Sequence, residues 1–124
     1  MLIDDDRWYA DAVVANLRED YTVTWCSGAQ MAIEAIDQSP PQAIVLDMLM
    51  PGGNGSVFLQ ELQSYTDTAM IPVILCSSID FMPQAATLQA YGVRHVFDKA
   101  KLDFSELRAT LATCVASEKV SHAL

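Results

Sequence analysis

The stretch Ala43-Ile44-Val45-Leu46-Asp47-Met48-Leu49-Met50-Pro51-Gly52-Gly53-Asn54-Gly55 decides the fold, because an apolar run here ends in a carboxylate and then in a turn. The apolar residues before Asp47 predict a strand buried on both faces, and the proline and glycines after it predict the turn. Asp47 is therefore predicted at the carboxyl end of a strand. In an open α/β sheet, ligands bind in the crevice outside those strand ends. A single aspartate there is more often a helix cap or a turn residue, so the other strand ends have to be considered.

Apolar, β-branched segments alternate with segments of helical periodicity along the whole chain. Predicted strands lie at 2–3, 21–26, 43–46, 73–76 and 93–97, and predicted helices at 6–20, 28–38, 57–65, 83–92 and 104–115. This alternation predicts an α/β fold, a doubly wound five-stranded parallel sheet with five helices and right-handed crossovers. In the flavodoxin-like strand order 2-1-3-4-5, the switch point lies between the first and third strands.

Length and charge limit the class of function. The 124 residues suffice for one core, and we expect one domain over 1–116 and a C-terminal tail or trimmed linker over 117–124. A formal net charge of −9 opposes binding to nucleic acid and to anionic lipid. A membrane span needs about 18 apolar residues, and no apolar stretch of this sequence is that long. The three cysteines are widely spaced among apolar residues, which predicts buried free thiols in a reducing cytoplasm.

Polar residues stand at the ends of three other predicted strands. Asp4 and Asp5 follow the first strand, Ser77 and Ser78 follow the fourth, and Lys99 follows the fifth. Carboxylates gathered at one sheet edge repel one another, and a hard divalent cation such as Mg²⁺ relieves that repulsion. An aspartate beside Mg²⁺ is also a competent nucleophile towards phosphorus. A lysine then supplies a fixed positive charge, and either serine can donate a hydrogen bond to a phosphoryl oxygen.

These motifs resemble those of the receiver domains of two-component response regulators, over nearly the whole chain. Residues 2–6 are similar to the hydrophobic-then-acidic opening of that family, and residues 47–55 match its D-x-x-M-P-x-x-x-G stretch. Residues 72–77 are similar to the strand that ends in a switch Ser or Thr, and 97–99 to the strand that ends in a lysine. The intervals of 30 residues from Asp47 to Ser77 and 52 residues from Asp47 to Lys99 also fit a receiver and favour Ser77 over Ser78.

The resemblance implies a set of site residues. Asp47 would be the phosphoacceptor, phosphorylated by a sensor histidine kinase or a phosphotransfer protein. Asp5, Asp47 and the backbone carbonyl of Leu49 would ligate Mg²⁺ directly, while Asp4 would act mostly through water. Ser77 would be the switch hydroxyl, and Lys99 would bind the phosphoryl group. Asp6 matches a variable position of the family, and its place before the first helix predicts a helix cap.

The resemblance also implies a signalling role rather than an enzymatic one. Output to a downstream protein or effector domain would run through the last two helices and the fifth strand, a surface that also allows a homodimer. Two alternatives stay open: a degenerate receiver that binds a partner without phosphorylation, and a Mg²⁺-dependent aspartyl-phosphate phosphatase of the haloacid-dehalogenase type. The phosphatase class requires a second aspartate where this chain has Leu49.

The chain departs from the family pattern in three respects. Ala100 replaces the usual proline after the lysine, which favours a trans peptide bond. Val96 replaces an aromatic residue that gates the output face in the family, and the alternatives for that role in this chain are Phe97 and His95. Leu49 and Ile79 occupy the positions that line the path of the hydrolytic water, and neither side chain can orient water. This predicts a long-lived phosphoryl group on Asp47.

Overall fold

The computed structural model describes residues 1–50, 53–78 and 84–123, with the backbone alone at 50, 53–54 and 116–123, and strands and helices alternate along these residues. The strands are β1 (Leu2–Ile3), β2 (Trp25–Cys26), β3 (Ile44–Leu46), β4 (Leu49–Met50), β5 (Gly53–Asn54), β6 (Val73–Ser77) and β7 (Val93–Asp98). The helices are α1 (Arg7–Leu17), α2 (Ala29–Gln38), α3 (Gly55–Gln63), α4 (Thr66–Ala69), α5 (Ala85–Ala90) and α6 (Phe104–Ala123).

Five of the strands form one parallel sheet in the order β2-β1-β3-β6-β7. β1 lies between β2 and β3, with Leu2 opposite Trp25 on one side and Val45 on the other. The predicted flavodoxin-like order is therefore confirmed. The carboxyl ends of β1 and β3 lie side by side, and those of β6 and β7 follow along the same edge.

The sheet has a hydrophobic core on each face, because successive residues of a strand point to opposite sides. In β3, Ile44 and Leu46 pack with α2, α3 and α5, while Val45 packs with α1 and α6. Both faces of β3 and β6 are buried, which is why these strands are continuous apolar runs in the sequence. Cys26, Cys76 and Cys114 are buried free thiols, as predicted.

Local sequence sets the helix ends. The Asp6 carboxylate accepts hydrogen bonds from the amides of Trp8 and Tyr9, so Asp6 is the helix cap that was predicted. The Asp103 carboxylate accepts a 2.8 Å bond from the Ser105 amide at the start of α6. Gly92, with a φ of +79°, follows α5 in the left-handed region that favours glycine.

Several elements differ from the sequence prediction. The described residues form six helices rather than the five predicted, because the single turn α4 is too short to show a helical period. The hairpin of β4 and β5 was not predicted, and only the last two residues of the predicted second strand pair as β2. The predicted last helix ends at residue 115, but the backbone of α6 continues as a helix to Ala123. Pro83, predicted to begin the fourth helix, and Ile79 lie outside the described residues.

Candidate functional site

Four strands deliver the candidate residues to the carboxyl edge of the sheet. Asp4 and Asp5 follow β1, Asp47 follows β3, Ser77 is the last residue of β6, and Lys99 follows β7. Backbone hydrogen bonds continue the sheet into this edge: the Asp47 amide donates to the Ile3 carbonyl at 3.0 Å, and the Lys99 amide to the Ser77 carbonyl at 3.0 Å. The fold therefore brings Asp4, Asp5, Asp47, Ser77 and Lys99 to one edge of the sheet.

Asp47 lies at the centre of the site. Its Oδ1 accepts a 2.7 Å hydrogen bond from Ser77 Oγ and a 3.2 Å bond from the Leu49 amide. Its Oδ2 lies 3.4 Å from Lys99 Nζ. Ser78, the alternative hydroxyl, is exposed, whereas Ser77 is buried against Asp47. Of the two serines, Ser77 is thus the one whose hydroxyl contacts Asp47.

Asp4 is the most enclosed carboxylate, with 1% of its surface exposed. Its Oδ1 accepts a 2.9 Å bond from the Asp6 amide, and its Oδ2 lies 2.8 Å from Lys99 Nζ. The Trp25 indole donates a 2.7 Å bond to the Asp4 backbone carbonyl. Both carboxylate oxygens of Asp4 therefore already have protein partners.

Burial and charge have opposite effects on the pKa values of Asp4 and Lys99. Burial raises the pKa of Asp4, and the hydrogen bond from Lys99 opposes that rise. Burial alone would lower the pKa of Lys99, but the hydrogen bond and the charge of Asp4 outweigh it and raise the pKa. Lys99 is therefore charged at neutral pH, and its ammonium is the cation that Asp4 and Asp47 share.

One ammonium does not balance three carboxylates. One oxygen each of Asp4, Asp5 and Asp47 lie within 4.8 Å of one another, and Asp5 is exposed at the rim. If all three are ionised, Lys99 leaves two negative charges uncompensated at the site. Oxygen donors and an excess of two negative charges suit a hard divalent cation, so these residues fit a Mg²⁺ ion.

The β4–β5 hairpin after Asp47 contains a further candidate oxygen, the backbone carbonyl of Leu49. The Gly55 amide donates a 2.8 Å bond to the Met48 carbonyl, so the next pair, Leu49 and Asn54, is one whose peptide groups do not bond each other. The Leu49 carbonyl is consequently outside the hairpin ladder. The Leu49 side chain, with 53% of its surface exposed, presents no polar group beside Asp47.

Sequence reasoning did not single out two aromatic residues of the site. Periodicity could not choose between Trp8 and Tyr9 for the buried face of α1, and the structure leaves 88% of Trp8 exposed. The ring of Tyr9 lies under Lys99, with Nζ 4.3 Å from the ring centroid. Trp25, the other residue, was predicted only as part of a strand. Neither contact has a signal in a single sequence, because both depend on how elements pack.

Ala100 and Val96, two of the residues that depart from the family pattern, lie just after β7 and within it. The bond from Lys99 to Ala100 is trans, since the described residues contain no cis peptide. Val96, on the edge strand β7, is exposed rather than packed towards the site.

Among the described residues, no helix combines the length and the apolar character needed to cross a membrane.

Fold and site together define a flavodoxin-like α/β domain with an acidic site at the carboxyl edge of its sheet. The family model of the response regulator receiver domain matches residues 1–112, and the chain belongs to that family. It is 32% identical over 81 residues to the regulatory protein VanR of Enterococcus faecium, an alignment that covers 64% of this chain and 34% of VanR. The family resemblance drawn from the motifs is thereby confirmed.

A second curated relative is similar in sequence, and a solved structure has the same fold. The chain is 30% identical over 98 residues to the response regulator RR06 of Streptococcus pneumoniae, covering 77% of this chain and 44% of RR06. The chain thus spans less than half the length of these curated relatives. The signal receiver domain of a signal transduction histidine kinase from Syntrophus aciditrophicus has the same fold, with a TM-score of 0.79 at 21% identity, covering 94% of this chain and 89% of that domain.

Proposed function

We propose that this receiver domain is switched by phosphorylation of Asp47. The observation that carries the proposal is the set of partners around one carboxylate: a hydroxyl at 2.7 Å, an ammonium at 3.4 Å, and two further carboxylates whose oxygens lie within 4.8 Å. A nucleophile for phosphoryl transfer needs neighbours that neutralise the charge on the transferred group. Asp47 has both the cationic neighbour and the acidic group that suits a metal ion.

In the proposed reaction, an Asp47 carboxylate oxygen attacks the phosphorus of a phosphohistidine on a kinase or phosphotransfer protein. A P–O bond to Asp47 forms as the P–N bond to histidine breaks, and the histidine nitrogen keeps the electron pair and takes up a proton. Lys99 supplies positive charge to the phosphoryl oxygens, and Ser77 Oγ turns from Asp47 to donate to one of them.

We assign Mg²⁺ to Asp5, Asp47 and the Leu49 backbone carbonyl, with Asp4 acting through water. When bound, Mg²⁺ neutralises charge on the phosphoryl group and holds it near the carboxylate. Asp4 has a second task, because its Oδ2 bonds Lys99 and its Oδ1 bonds the Asp6 amide. It keeps the ammonium of Lys99 at the site before the phosphoryl group arrives.

The remaining parts of the proposal concern partners and place. The domain, taken as residues 1–116, would signal through α5, β7 and α6 to a downstream protein or effector domain, and that surface also suits a homodimer. We infer no direct contact with nucleic acid, since the net charge is −9. The buried free thiols support a reducing, cytoplasmic location.

Phosphorylation with acetyl phosphate tests the proposal. Incubation with acetyl phosphate and Mg²⁺ is expected to give one phosphoryl adduct by mass spectrometry, and Asp47→Asn is expected to abolish it. The matched control is Asp67→Asn, because Asp67 is exposed in the first turn of α4. An adduct that survives in Asp47→Asn, or none in the wild type, contradicts the proposal. Absence of any response to beryllofluoride with Mg²⁺ would instead indicate a phosphorylation-independent module, and turnover of a small phosphomonoester would indicate a phosphatase.

A further inference from the structure

Lys99 lies between two carboxylates and an aromatic ring. Its ammonium lies 2.8 Å from Asp4 Oδ2 and 3.4 Å from Asp47 Oδ2, and it lies 4.3 Å above the centroid of the Tyr9 ring. A cation over the face of a tyrosine is attracted by the ring quadrupole, and the attraction grows where water is excluded. The Lys99 side chain has 22% of its surface exposed, so this contact is largely shielded from water.

The Tyr9 ring is itself held in place. It lies in the first turn of α1 and contacts the Phe104 ring of α6, with a centroid distance of 6.3 Å. Its hydroxyl is enclosed beside the buried Cys76 thiol. Burial, followed by the neighbouring Cys76 thiol, raises the pKa of the Tyr9 hydroxyl, so the ring stays neutral. The part of Tyr9 that serves the site is therefore its aromatic face rather than its hydroxyl.

Lys99 is paired with two carboxylates, Asp4 and Asp47. Phosphorylation of Asp47 would change the second and leave the first as it is. The Asp47 carboxylate loses its charge when it becomes an acyl phosphate, and the phosphoryl oxygens bring new negative charge further from the sheet. The Tyr9 ring carries no net charge and takes part in no step, so its attraction for the ammonium is the same in both states. It can keep Lys99 aimed at the site while the carboxylate partner is replaced.

We propose that Tyr9 is a positioning residue for Lys99, whose aromatic face holds the ammonium where the phosphoryl group on Asp47 binds. The inference rests on the proposed function of Asp47. It adds a residue of α1 to the machinery, and it predicts that the aromatic face matters and the hydroxyl does not.

Three variants separate an aromatic role from simple packing. Tyr9→Leu removes the ring, Tyr9→Phe keeps it, and Tyr21→Leu is the control. Tyr21 is also a partly buried tyrosine and packs against the same core cluster as Tyr9. The affinity for beryllofluoride in saturating Mg²⁺ is expected to fall about fivefold in Tyr9→Leu and to stay within about twofold of the wild type in Tyr9→Phe and Tyr21→Leu. The affinity for Mg²⁺ alone is expected to change little in all three.

A second measurement does not depend on phosphoryl chemistry. In the unmodified protein, NMR is expected to show the ε-methylene protons of Lys99 shifted upfield by the Tyr9 ring, in the wild type and in Tyr9→Phe but not in Tyr9→Leu. If Tyr9→Leu fails to fold, Tyr9→Met takes its place, since methionine fills an irregular apolar space without an aromatic face.

The outcomes distinguish the two proposals. Equal beryllofluoride affinity in the wild type and Tyr9→Leu, equal losses in Tyr9→Phe and Tyr9→Leu, or an unshifted Lys99 resonance in the wild type would each overturn the positioning role while leaving Asp47 as the phosphoacceptor. A wild-type protein that shows the shifted resonance but binds no beryllofluoride would overturn the proposed function, and the positioning role with it.

Discussion

At Asp47, one carboxylate meets three donors, and each of its oxygens has a separate set. Oδ1 accepts from Ser77 Oγ and the Leu49 amide, and Oδ2 faces Lys99. Attachment of a phosphoryl group to either oxygen would leave at least one of these donors without its present partner. A buried donor without an acceptor costs about 1–3 kcal/mol, so that donor has reason to move to a phosphoryl oxygen. When the phosphoryl group is on Oδ1, Ser77 Oγ is such a donor, and its move to a phosphoryl oxygen is the rearrangement that we propose.

Leu49 should control how long the phosphoryl group lasts. Its backbone amide bonds Asp47 Oδ1, and its exposed apolar side chain has no group that can orient or activate a water molecule. Positioned acid–base groups accelerate such steps by about 10²–10⁴-fold. We therefore expect Leu49→Asn, combined with Ile79→Glu, to shorten the lifetime of phospho-Asp47 at least about tenfold. Dephosphorylation of the purified domain in Mg²⁺ measures this.

The control for that experiment is Val57→Asn, a polar substitution of another exposed apolar residue, on α3. We expect this variant to keep the wild-type lifetime. Loss of the phosphoryl group from the wild type within seconds, or equal lifetimes in the wild type and the double variant, would show that Leu49 and Ile79 do not exclude the hydrolytic water.

At the level of elements, the turn after β3 depends on a glycine for steric reasons. A Cβ on Gly55 would lie 2.9 Å from the Met48 Cα and 2.7 Å from its Sδ. The backbone of the β4–β5 hairpin would have to shift, and α3 begins at this residue. Since Met48 is buried, its backbone has little room to yield. The glycine at the end of the D-x-x-M-P-x-x-x-G stretch is thus required by the close approach of two backbones.

Gly55→Ser is expected to lower the free energy of unfolding by about 1–3 kcal/mol, the usual cost of overpacking. The matched control is Gly28→Ser at the N-cap of α2, where a new Cβ meets nothing within 4 Å and the added hydroxyl can cap the helix. Urea unfolding of both variants provides the measurement. A loss in Gly28→Ser as large as that in Gly55→Ser would indicate that the Met48 contact is not the cause.

The sequence predicted those elements whose burial leaves a periodic pattern. The strands β3 and β6 were recognisable because both of their faces are covered. The apolar residues of α1 and α6 recur at helical spacing because both helices pack on the same core. The hairpin and α4 were missed because two to four residues cannot show a period. At the site, strand ends gave the carboxylates and Lys99, whereas Tyr9 and Trp25 reach it through packing between elements. A single sequence does not record that packing.

At the scale of the whole molecule, folding concentrates negative charge that the chain could otherwise keep apart. The chain carries a net charge of −9, and the fold brings Asp4, Asp5 and Asp47 together at one edge with Lys99 as their cation. Repulsion among them opposes folding, and a bound divalent ion removes that repulsion. The stability of the entire domain should therefore depend on Mg²⁺, and Asp5 allows a test because it is exposed and makes no ion pair with Lys99.

Asp5→Asn is expected to stabilise the metal-free protein and to weaken the stabilisation that Mg²⁺ provides. A ligand at 100 times its Kd stabilises the folded state by about 2.7 kcal/mol, and the variant should gain much less at the same Mg²⁺ concentration. Urea unfolding with EDTA and with Mg²⁺ gives both quantities. Asp11→Asn, which removes an exposed charge from α1, should respond to Mg²⁺ as the wild type does. Equal Mg²⁺ stabilisation of the Asp5→Asn variant and the wild type would mean that Asp5 does not bind the ion. A less stable metal-free variant would mean that the Asp5 charge does not oppose folding.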